Sequence, residues 1–255
     1  MSQIMKCRFN ERTNPHSYPS VNREGFVCLE IRVENTGSFM RSAFEHAAKI
    51  FPHLNLKQAN FSENRSLSTV EIDNLSGIIA ELACERILVF RYGRDKILKP
   101  ESNTSRNQVD LKLYNGRTIE VRSSCVRNGL DFALFARNRA KPREQFFDVI
   151  GPYSNAYKQG ETYKDYYMRV LYECGKEDFM NLLKRPFLRL FITGGADKEM
   201  MMDPHCYQIK HLTPAGGQVR TESDYRVIPL AESLDINEFF DVLEKQNREL
   251  QEIKR

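Results

Sequence analysis

The chain has 255 residues, 41% hydrophobic and 28% charged, enough apolar material for a buried core and far from the composition of a disordered chain. A formal net charge of +4 permits a nucleic-acid partner without requiring one. No apolar run approaches the roughly 18 residues of a membrane helix, and the amino-terminal MSQIMKCRFNERTNPHSY lacks an apolar h-region, so a cytoplasmic protein with no membrane partner is expected.

The first 25 residues are polar and turn-rich and read as a loop or arm. GFVCLEIRVEN, residues 25–35, alternates as a strand does, and residues 36–51 then place Phe39, Ala43, Ala47 and Phe51 at helical spacing, with Ser38 as N-cap. Residues 68–90 carry Leu75, Ile78, Ile79, Leu82, Ala83 and Leu88 in a long amphipathic helix expected to pack on a sheet. Residues 91–106 read as a basic loop, and a hairpin follows over 107–124, with Tyr114-Asn115-Gly116 as its turn. Strands are expected near 146–153, 165–173, 186–195, 206–214 and 224–231, with a short helix over 176–185 and a final amphipathic helix over 235–255. The six cysteines form no C-x-x-C pair and read as buried thiols rather than zinc ligands. The expected fold class is α/β in the α+β sense: a central mixed β-sheet flanked by helices.

The hairpin carries the chemistry. Period two places Asp110 with Lys112 on its first strand and Glu120 with Arg122 on its second, and the turn brings Asp110 close to Glu120 across the ladder. Two carboxylates so placed repel unless a cation lies between them. Glu81, at the edge of the long helix's apolar stripe, is a third acid that needs a partner, and Glu85 one turn later competes for the same role. Taken alone, the four hairpin charges also fit a solvated face with cross-strand ion pairs.

The pattern VD followed by EVRSS, with the upstream helix SGIIAELACERIL, resembles the PD-(D/E)xK nuclease signature across residues 68–195. The resemblance implies a restriction-endonuclease-like core over 68–199, with additions at 1–67 for DNA or dimer contacts and at 200–255 packed on the same domain. It implies one or two Mg²⁺ ions held by Glu81, Asp110 and Glu120, and catalytic roles for Asp110, Glu120, Arg122 and Lys112. Double-stranded DNA as substrate, a homodimer and a sequence-specific type II restriction endonuclease complete the expectation. Arg122 stands where the family usually has lysine. A guanidinium stabilises negative charge but does not exchange a proton with water, and Lys112 is a candidate for a displaced ammonium.

Other stretches are less specific. Arg127, Arg137, Arg139, Lys141 and Arg143, interleaved with Phe132 and Phe135, form a candidate phosphate-contacting segment. Asp203, His205 and His211 match no zinc spacing, and Thr193-Gly194-Gly195-Ala196 lacks the ending of a phosphate-binding loop. Alternatives from other classes are a structure-specific repair or phage-type nuclease, a non-catalytic nucleic-acid-binding protein on the same fold, and a partner-binding protein that pairs through its last helix.

Overall fold

The computed structural model describes residues 2–6, 17–18, 26–51, 67–100, 109–127, 129–130, 133, 137–138, 148–153, 163–211 and 224–248. Within these, the chain builds three layers: helices, a seven-stranded sheet and a smaller sheet. The large sheet has the order β1 (Ser2–Lys6), β3 (Val27–Glu34), β10 (Phe187–Asp197), β9 (Tyr166–Tyr172), β6 (Thr118–Cys125), β5 (Leu111–Leu113) and β4 (Ile97–Leu98). Its neighbours are antiparallel except β6 and β9, which run parallel with Ile119 opposite Tyr166. β2 (Ser17–Tyr18) pairs with β7 (Arg137–Asn138), and β11 (Gln208–His211), β12 (Asp224–Ile228) and β8 (Val149–Tyr153) form the small sheet.

One face of the large sheet receives three helices, α1 (Ser38–Ile50), α2 (Leu67–Tyr92) and α3 (Ile236–Gln246). Met40 and Ala43, then Leu75, Ile78, Ile79, Ala83 and Leu88, then Phe239, Phe240 and Leu243 pack there against Met168, Val170, Leu190 and Ile192. The other face is covered by the small sheet and a helical turn at Lys198–Met202, through Tyr167, Leu171, Phe191, Val149, Ile228 and Met201. All seven residues of β9 are therefore buried, which explains why its sequence shows no alternation. This second face also holds charge: Arg169 is 0% exposed and donates to Ser124 Oγ at 2.7 Å, and Lys210 Nζ lies 2.6 Å from Asp148 Oδ2.

Several expected elements shift. Gly37, not Ser38, is the N-cap of α1, and no side chain caps that end, because the helix begins one residue earlier relative to Ser38 than its hydroxyl would require. The basic stretch after α2 contains a 3₁₀ turn and β4, a two-residue strand recruited by pairing to β5 rather than by its own pattern. β1 lies in a segment read as a loop, and α3 ends at Gln246, with residues 249–255 outside those described. α3 starts where its sequence says: Asp235 accepts from Asn237 N–H and Glu238 N–H, and Glu238 accepts from Asp235 N–H, a complete capping box.

The TGGA stretch is interior strand. β10 has a bulge between Ile192 and Gly194, and Gly194 has φ +103°. A Cβ on Gly195 would stand 1.8 Å from Tyr167 O, so these glycines let β9 and the 234–235 segment close on β10.

Candidate active site

The hairpin is short on its first side, and this brings Asp110 into play. The ladder ends at Leu111 opposite Ile119, so the next inward-facing donor, Val121 N–H, has no strand partner on β5. Asp110, in the bend before β5, supplies the acceptor: Val121 N–H donates to its Oδ2 at 2.7 Å. Leu111, Leu113 and Ile119 point into the core under α2, and alternation turns Glu120 and Arg122 to the other side.

Glu120 and Arg122 meet on that side, with Nη2 of Arg122 2.5 Å from Oε1 of Glu120. From α2, Glu81 reaches Lys99 Nζ at 2.7 Å, and the same ammonium donates to His46 Nδ1 of α1 at 3.3 Å. Glu85 instead pairs with Arg94. Of the two helix acids, Glu81 is the one whose charge reaches Asp110 and Glu120.

Their proximity leaves an electrostatic signature. Asp110 is pushed from 3.8 up to about 7, first by burial, then by the charges of Glu120 and Glu81, against the opposing Val121 N–H and Arg122. Glu81 is also raised, chiefly by burial, with Lys99 opposing and Glu85 and Glu120 adding. His46 is lowered by burial and by Lys99 and Lys49, so its ring is the neutral acceptor that the Lys99 contact requires.

Three carboxylates from a helix, a bend and a strand are the hard oxygen donors that a Mg²⁺-type cation takes. Each is engaged by an internal partner: Asp110 by a backbone N–H, Glu81 by Lys99 and Glu120 by Arg122. Among the described residues no three His, Cys, Asp or Glu side chains converge as a ready coordination shell. The donor chemistry fits a cation, and loading it requires these acids to exchange partners.

The remaining sequence candidates fall elsewhere. Lys112 stands opposite Thr118 on β5, and Lys99 is the ammonium that touches the acid cluster. Arg127 pairs with Glu177 at the surface. Arg137 lies in β7 with its side chain outside those described, as are Arg139, Lys141 and Arg143. Lys99 and His46 were not legible as site residues. The one signal was the demand of Glu81 for a cation, which named a partner's charge but not its position. Compared with known protein families, curated proteins and solved structures, the chain matches none.

Proposed function

We propose that the protein is a Mg²⁺-dependent DNA endonuclease of PD-(D/E)xK type, acting as a sequence-specific type II restriction enzyme. The observation that carries this reading is the gathering of Glu81, Asp110 and Glu120 within mutual electrostatic range, which adds to burial in raising Asp110. The order of long helix, hairpin and following strands supports it as well.

In this reading Glu81, Asp110 and Glu120 would hold the metal, which would lower the pKa of a water and offset phosphate charge. The protein's own groups do the rest. Glu120, once released from Arg122, leaves that guanidinium aimed at the same point, where it binds non-bridging phosphate oxygens bidentately and stabilises their charge. Lys99 gives the site the ammonium that position 122 lacks, held beside Glu81 by its second contact to neutral His46. Val121 N–H fixes the orientation of the Asp110 carboxylate. DNA and a second copy of the chain are partners of this proposal.

A second reading, a non-catalytic nucleic-acid-binding protein on the same fold, is favoured by one fact: every acid already has an internal partner. Incubation with mixed plasmid DNA and Mg²⁺ separates the readings. Discrete fragments are expected for a restriction enzyme, a smear for a structure-specific nuclease, and intact DNA would sink both. Calorimetry with Mn²⁺ or Ca²⁺ on wild type and Asp110→Ala is expected to show a site lost in the variant.

A further inference from the structure

Away from the carboxylates, β6 and β9 end on a pair of thiols that the proposed chemistry does not use. The two strands run parallel with Cys125 opposite Tyr172. Just past that pair the Tyr172 carbonyl accepts two N–H groups at once, Val126 at 2.7 Å and Cys174 at 2.9 Å. One oxygen thus gathers the chain leaving β6 and the chain leaving β9, and it sets Cys174 diagonally beside Cys125. The two thiols are close enough for each to perturb the other electrostatically. Both are free thiols.

The other described cysteines differ. Cys28 and Cys84 are fully buried, and Cys206 donates to Asp203 Oδ2 at 3.6 Å. Around the pair stand Lys176, which is bonded to Asp73, together with Arg185, Glu177 and Asp178. Cys125 is partly exposed and Cys174 is 8% exposed, so solvent reaches the pair chiefly through Cys125.

We propose that Cys125 and Cys174 are a reversible thiol–disulfide exchange site for a low-molecular-weight disulfide of the glutathione type. Cys174 is the first nucleophile. The neighbouring Cys125 thiol holds it below the ordinary thiol range, against burial and the nearby Asp178 and Glu177. Its thiolate attacks one sulfur of the small disulfide, breaks that S–S bond and releases one small thiolate. Cys125 then gives up its proton and attacks the Cys174 sulfur of the mixed disulfide, releasing the second small thiolate. The two protein thiols lose two electrons and two protons in total, and the small disulfide gains them as two thiols. The product ties the end of β6 to the chain leaving β9 and encloses the β7 and β8 segment in a covalent loop. It places a redox-dependent clasp three residues beyond Arg122, and it stands or falls independently of the nuclease proposal.

The test uses the full-length protein, reduced, desalted and incubated with excess glutathione disulfide, then alkylated in denaturant and mapped by peptide mass spectrometry. A Cys125–Cys174 linked peptide that forms with the disulfide and disappears with dithiothreitol is expected, with Cys28 and Cys84 alkylated. Alkylation of both Cys125 and Cys174 after oxidant treatment would overturn the proposal, as would a link from either to another cysteine. Cys125→Ser is expected to trap glutathione on Cys174, whereas Cys174→Ser leaves Cys125 largely unmodified. Equal trapping in both variants would overturn the assigned order of attack. The wild-type measurement decides the pair itself even where a variant fails to fold.

Discussion

Two buried groups of charges lie on this sheet, and they are built to opposite rules. Near β8 and β11, Asp148 has two cations against one further acid: Lys210 touches it, Arg169 lies close enough to stabilise it, and Glu232 opposes them. Near the hairpin, Asp110 is one acid among acids. Burial raises both carboxyls, but at Asp148 Lys210 and Arg169 pull back against Glu232 alone, whereas at Asp110 Glu120 and Glu81 push the same way against Arg122 and one backbone N–H. A balanced group holds the fold together. An unbalanced one is the region where the fold gives up stability.

The contrast breaks most sharply at Asp148. Asp148→Ala leaves Lys210 and Arg169 buried without their acid, and a loss of about 3–5 kcal/mol is expected in urea denaturation. The hairpin should respond in the opposite direction. Asp110 binds its proton more tightly folded than unfolded, so its contribution to stability is full below about pH 4 and is lost as the pH rises through 7. A rise from 3.8 to about 7 bounds that loss at about 4 kcal/mol. Asp110→Asn keeps an acceptor for Val121 N–H and removes the charge. It is expected to be more stable than wild type at pH 8, with the advantage fading toward pH 4. Equal stability at both pH values would refute the acid-excess account of this site.

A smaller effect is expected one helix away. Glu81→Gln removes one of the charges that raise Asp110, and carboxyl NMR titration should place Asp110 lower than in wild type. Smallest for stability is Arg122→Ala, since its side chain is 48% exposed and such pairs contribute under about 1 kcal/mol. If the nuclease proposal holds, the same variant cleaves DNA about a hundredfold more slowly with its Tm almost unchanged. A parallel fall in both would make Arg122 structural.

Local pattern carried the parts of the fold that local forces decide. The apolar spacing of α2, the Asn115-Gly116 turn and the paired runs that became β9 and β10 were all readable. β1 and β4 were not, because two to five residues acquire strand geometry only from a partner elsewhere in the chain. The acids of the site were legible as residue types at hairpin spacing. Their partners were not: Lys99 follows β4 and His46 belongs to α1, and only the three-dimensional sheet brings them to Glu81. Even the fate of Asp110 depends on where the β5 ladder stops, which the alternation of residues 107–113 does not mark.

The strand order has a temporal consequence. β3 pairs on one side with β10, and its first N–H, at Val27, donates to Asp235, 208 positions along the chain. During synthesis β3 therefore emerges long before β10, and the hairpin under α2 has no parallel partner until β9 has left the ribosome. Contacts so distant in sequence slow folding and lengthen the life of sticky intermediates. The final helix, whose first residue is anchored by a complete cap, is the piece that closes the structure. A chain shortened before Leu234 would lose the bridge to Gly195 and should accumulate as aggregate rather than as a smaller native protein.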